Sequence, residues 1–208
     1  NNIVPKARGE AAKVTQAATG YRDAAIAKAK GDVAYFDALS KEFKNLHLDV
    51  YSSFEIYGWK QRDKPYENLF EMINSHSNMT YHGSVSNEKI LEALKNSHIF
   101  MYPCIWKETS CIALIEAIKS GLICIHPNYG ALLETAGDAS ISYNFTDDKQ
   151  MHANTCYQIT RNIVRKINAD KSFFNNFTFS DKFVLPRNSI NNFTNGWNNL
   201  LEMLKNVR

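Results

Sequence analysis

Four short apolar runs, separated by segments of helical spacing, constrain this chain more than any other feature. Leu46-His-Leu-Asp-Val-Tyr51 alternates as a strand does, while Met79-Thr-Tyr-His82, Ile99-Phe-Met-Tyr102 and Leu122-Ile-Cys-Ile125 are brief and apolar. Phe54 to Gly58 reads as the end and turn of the first strand, Gly83 closes the second and Pro103 stops the third. Between them, Tyr66–Ile73, Ser86–Lys95 and Thr109–Ser120 carry helical spacing, with Ser86 as an N-cap and Gly121 as a C-terminal stop. Leu132–Ala136 predicts a short helix, and two more are predicted at about 149–168 and 188–206. Such alternation argues an α/β fold, a parallel sheet covered by helices on both faces. Ligands of that architecture sit beyond the carboxyl ends of the strands. The loops at 57–65, 82–86, 103–110 and 126–131 are therefore the candidate site walls.

The first 44 residues obey a different rule. They hold eleven of the nineteen alanines, and asparagine is absent from positions 3–44 but occurs twenty times afterwards. The whole net charge of +3 falls there too, since Lys/Arg and Asp/Glu balance over the remaining 164 residues. Gly9, Gly20 and Gly31 recur every eleven residues, and on that period Val14, Ala25 and Phe36 share one column. Eleven residues in three turns predicts a nearly straight or gently right-handed helix from Pro5 to Phe43, roughly 58 Å long at about 1.5 Å per residue. A helix so poor in apolar area is either an oligomeric arm or a solvated linker. The compositional boundary near Lys44–Leu46 predicts two parts, 1–44 and 45–208.

The stretch Tyr102-Pro-Cys-Ile-Trp-Lys-Glu-Thr-Ser-Cys-Ile-Ala-Leu-Ile-Glu-Ala-Ile-Lys-Ser-Gly121 is the one most suited to chemistry. It sets Glu108 at the mouth of a loop after a strand and predicts a helix opening at about Thr109. Free N–H groups of a first helical turn attract anions, so residues 109–112 are candidates to hold a diphosphate. Glu116 follows on the same helix, where a carboxylate can accept the two hydrogen bonds that vicinal ribose hydroxyls offer. On spacing alone, a capping acid at Glu108 and a salt-bridged Glu116 remain the alternative.

Two resemblances bear on these parts. Asn2-Ile-Val-Pro-Lys-Ala-Arg-Gly-Glu-Ala-Ala-Lys13, Gly20-Tyr-Arg and Gly31-Asp-Val-Ala-Tyr-Phe-Asp-Ala-Leu39 resemble the helical region of HflK, of the stomatin/prohibitin-like family, which implies self-association through residues 5–43. Glu108-Thr-Ser-Cys-Ile-Ala-Leu-Ile-Glu116-Ala-Ile-Lys-Ser-Gly121 resembles the EX7E signature of retaining GT-B glycosyltransferases of the family-4 type. Tyr129-Gly-Ala-Leu-Leu-Glu134 follows in the manner of that family's GALPE-type loop, with Leu133 in place of proline. Tyr57-Gly58, His82-Gly-Ser-Val85 and Leu91-Glu-Ala-Leu94 match the preceding strand ends and helix.

This second resemblance implies an incomplete Rossmann-like GT-B C-terminal domain, preceded by one long helix. It implies transfer of a sugar from a nucleotide-diphospho-sugar to an unknown acceptor (glycan, lipid or protein), with retention and without a metal or other cofactor. Glu108 would touch the donor sugar and be the catalytic group, and Thr109, Ser110, Cys111 and Ile112 would hold the diphosphate and sugar. Glu116 would hold the ribose, and His82, Gly83 and Val85 would line the base. The family's first strand–helix unit, with its phosphate-neutralising Arg and Lys, has no convincing counterpart here; Lys60, Arg62 and Lys107 are the candidate basic neighbours, and solvated surface is the favoured reading of each. The acceptor-binding half is also missing and the chain begins at Asn1 without Met, so a fragment of weak or absent activity is expected.

Other classes are excluded more simply. Forty-four per cent hydrophobic and 22% charged residues rule out a disordered polymer. The basic charge of 1–44 is too dilute for nucleic acid. Cys104, Cys111, Cys124 and Cys156 lack zinc-ligand spacing and read as reduced thiols, which favours the cytoplasm, with peripheral membrane placement as the second reading. Asp147-Asp148 reads as a helix-start or loop acid pair rather than a metal site.

Overall fold

The computed structural model describes residues 33–177 and 189–205, with scattered positions between 10 and 31. They fall into two compact units, 1–85 and 86–208.

In the first unit, residues 33–42 are helical (α1). They are followed by β1 (Leu48–Val50), two 3-10 turns (Phe54–Tyr57 and Lys60–Tyr66), α2 (Glu67–Ser75) and β2 (Met79–Tyr81). β1 and β2 pair in parallel, Leu48 opposite Met79 and Val50 opposite Tyr81. Phe36 of α1 is buried with Ile73 of α2 and Met79 of β2, and Val33, Leu46 and Leu48 close around them. The end of the alanine-rich segment is thus part of this unit's core. His76 ties it further, its Nε2 lying 3.2 Å from an Asp37 carboxylate oxygen. The rest of the helix expected from 5, its repeat and its self-association lie outside the described residues, apart from scattered helical positions such as Glu10, Lys13 and Asp23. Lys60–Tyr66 is helical where the sequence predicts a loop, and Pro65 sits near its end.

The second unit is built on a parallel three-stranded sheet of order β3 (Ile99–Met101), β4 (Ile123–Pro127), β5 (Ile141–Tyr143). Its helices are α3 (Asn87–Lys95), α4 (Ile112–Lys119), α5 (Leu132–Ala136), α6 (Lys149–Ala169), α7 (Ser172–Phe177) and α8 (Ile190–Lys205). Every residue of β4 is buried. Its side chains part by alternation: Cys124 joins Leu94, Leu114, Ile118, Leu132 and Ala136 of α3, α4 and α5. Ile123 and Ile125 join Tyr143 and, from α6, Cys156 and Ile163. Helices therefore cover both faces, as strands buried on two sides require.

The second unit differs from expectation in its element count, in one cap and in one helix start. β5 and α7 are additional; Ile141-Ser-Tyr143 is too short and too polar at its middle to signal a strand alone. Ser86 takes the N-cap backbone conformation of α3, but its hydroxyl does not accept the capping bond. The start of α4 is the correction that touches the site. It opens at Ile112 rather than Thr109, with Cys111 as an extended N-cap residue whose carbonyl accepts from the Ile115 N–H at 3.2 Å. Gly121, with φ +82°, ends it as expected.

Candidate functional site

The loop that follows β3 is held as a loop by a contact from far along the chain. The Ala131 N–H donates to the Glu108 carbonyl at 2.9 Å. Gly130 lies so close that a Cβ built there would stand 2.5 Å from the Glu108 oxygen and 2.7 Å from its nitrogen. The chain at 107–111 is consequently pinned against the turn before α5 and cannot coil into α4 until Ile112.

Glu108 is half-buried, and its carboxylate accepts from the Tyr102 hydroxyl at 2.6 Å, with the Cys104 sulfur 3.9 Å from the same oxygen. Burial and the Glu108 carboxylate beside it push the Tyr102 phenol well above its ordinary range, so Tyr102 stays a donor. Tyr102 closes the strand, so the sheet itself aims the hydroxyl: its N–H is bonded to the Ile125 carbonyl at 2.9 Å. Burial raises the thiols of Cys104 and Cys111 as well, which argues against a nucleophilic thiolate at Cys111. All four cysteines are free.

Thr109 and Ser110 are exposed, and their N–H groups have no protein acceptor among the described residues. The first-turn N–H groups of α4 follow, unpaired within the helix by construction. Ile112 exposes 69% of its surface at the opening of that turn. The N–H groups expected at 109–112 thus come from a loop running into a helix start, not from one helical turn. Glu116 lies in the second turn of α4, and Asn87, the first residue of α3, donates its amide to the carboxylate at 3.0 Å. That bond occupies one oxygen and leaves the second available.

His82, Gly83 and Val85 belong to the first unit, at the carboxyl end of β2. The His82 ring stacks on Tyr51 with centroids 4.4 Å apart, and its Nε2 lies 2.6 Å from the Asp49 carboxylate. Gly83 takes φ +66° and turns the chain there. Lys60 is paired with Glu55 at 3.2 Å, and the Arg62 guanidinium lies 4.4 Å over the Trp59 ring. Both basic side chains thus have protein partners, whereas Lys107 is exposed.

Sequence reading missed Tyr102, Asn87 and Gly130 as positioning residues. Tyr102 carried a weak signal, an aromatic hydroxyl at a strand end shortly before an acid. Asn87 carried none, because its partner is 29 positions away. Of the helix-start and loop readings of Asp147-Asp148, the first holds for Asp148, which accepts from the Met151 N–H at 2.9 Å. Among the described residues no group of three or more His, Cys, Asp or Glu is placed to hold a metal, and no helix is long and apolar enough to cross a membrane.

The family model of glycosyl transferases, group 1, matches residues 14–155. That span begins inside the alanine-rich segment, takes in both sheets and ends within α6. No curated protein matches the chain.

Proposed function

Because the chain belongs to the group 1 glycosyltransferase family, we propose that it is the donor-binding half of a retaining enzyme that takes a nucleotide-diphospho-sugar. The observation that carries this reading is the pair of acids around the opening of α4, Glu108 steadied by Tyr102 and Glu116 steadied by Asn87. In the proposed arrangement Glu116 accepts from the ribose hydroxyls. The N–H groups of Thr109, Ser110, Cys111 and Ile112 face the diphosphate, where aligned backbone donors favour negative charge. Glu108 contacts hydroxyls of the donor sugar and stabilises the positive charge that develops as the glycosidic bond breaks. No metal enters this reading, and the acceptor is a glycan, a lipid or a protein.

The test is calorimetric titration of the chain with UDP, GDP and ADP, with Glu116→Ala beside it. One nucleotide is expected to bind, and the substitution to weaken it about 10- to 100-fold, the scale of a hydrogen-bonded charged group. Equal affinity in the two proteins would remove the ribose role from Glu116. Failure of all three nucleotides to bind would overturn the half-site.

A further inference from the structure

Between β1 and α2 the first unit exposes aromatic rings that its core does not use. Ile56, Tyr57 and Trp59 are 69%, 66% and 46% exposed. The Tyr57 and Trp59 rings stand 5.8 Å apart with their planes at 37°, a shallow V on either side of Gly58. Gly58 supplies the left-handed φ of +74° that reverses the chain between them. One face of Trp59 is covered by Arg62, which fixes the ring. The turn beneath is braced: Asp63 accepts from the Phe54 N–H at 2.9 Å and from the Ser53 hydroxyl. The platform therefore exists before any ligand arrives.

Charge selects the occupant. From 54 to 67 the chain holds Lys60, Arg62 and Lys64 against Glu55, Asp63 and Glu67, a net of zero. Lys60 is paired with Glu55, and Arg62 lies on an aromatic face. Phosphate backbones and anionic bilayers bind through surplus basic charge, which this turn lacks. A tilted, exposed aromatic pair in a turn of no net charge suits a neutral sugar ring. Its C–H face would lie on the electron-rich ring faces. Because β1 and β2 are parallel, this turn leaves the sheet at the same edge as the His82–Val85 loop.

We propose that Tyr57 and Trp59 form a binding platform for a neutral saccharide. Its identification with the acceptor rests on the glycosyl-transfer reading above; the binding itself does not. The test uses the whole chain and three neutral hexasaccharides, maltohexaose, cellohexaose and mannohexaose, read by saturation-transfer NMR and affinity electrophoresis. At least one is expected to bind, with transfer to its ring C–H protons. Trp59→Ala and Tyr57→Ala should each weaken it about tenfold or more, and Trp59→Phe should keep most of the affinity. Binding to none of the three, unchanged affinity in both alanine variants, or Trp59-dependent binding to phosphatidylglycerol vesicles instead would overturn the platform. Nucleotide titration of the unsubstituted chain separates the two readings, since a saccharide that binds where no nucleotide does leaves the platform standing and removes the donor half-site.

Discussion

Replacing Gly130 by alanine tests the contact on which the placement of Glu108 depends. The added methyl would lie 2.5 Å from the Glu108 carbonyl oxygen, against about 3.4 Å for a relaxed carbon–oxygen contact. The backbone at 107–108 must then retreat by about 0.9 Å, and the obstacle is main chain, which has no rotamer to offer. Forced displacement of well-packed atoms costs about 1–3 kcal/mol. Gly130 also takes φ +58°, where a Cβ adds about 1–2 kcal/mol. The expected loss is about 2–5 kcal/mol in the second unit. Gly58→Ala is the comparison, because φ is again positive, at +74°, but nothing lies within 4 Å of the added methyl. Its expected cost is the backbone part alone, about 1–2 kcal/mol. Native-state hydrogen exchange at the β4 and β1 amides reads the two units separately. A Gly130→Ala loss no larger than that of Gly58→Ala would refute the close approach and free the 107–111 loop from the constraint.

Two further outcomes are expected. Phe36→Ala should destabilise the first unit by about 3–5 kcal/mol, because the ring is buried against Ile73 and Met79, and should leave β4 exchange unchanged; an unaffected first unit would show that α1 does not belong to its core. His126 is fully buried, with Nδ1–H donating to the Pro127 carbonyl at 2.9 Å and Nε2 accepting from the Ser140 hydroxyl at 2.8 Å. Burial lowers its pKa in the fold, so between the folded value and the ordinary value near 6.5 the unfolded chain binds the proton first. Stability should therefore be whole above about pH 6.5 and fall as pH drops through that window, and thermal melts of His126→Asn should lose this part of the pH dependence.

The order of elements was readable because burial imposes local periods. β4 is apolar from Ile123 to Ile125 since both of its faces are covered, and α4 ends at Gly121 since a left-handed residue there costs glycine little. The two acids of α4 and its preceding loop were visible as residue types at a spacing. Their supports were not, for each depends on a meeting of distant segments. Tyr102 reaches Glu108 because pairing to β4 fixes the end of β3, and Asn87 reaches Glu116 because α3 and α4 pack together.

The sequence by itself determined the strand–helix alternation, the class of sheet and the glycine stops, all of which follow from periodicity and backbone sterics within a few residues. Tertiary structure alone decided that α4 begins at Ile112, that Ile141–Tyr143 becomes a strand, and that Phe36 belongs to a core rather than to a bare helix. Each is settled by an atom donated or excluded from elsewhere in the chain: the Ala131 N–H, the edge of β4, the side chains of Ile73 and Met79. Local pattern records how buried a residue must be, and only the folded chain records what it is buried against.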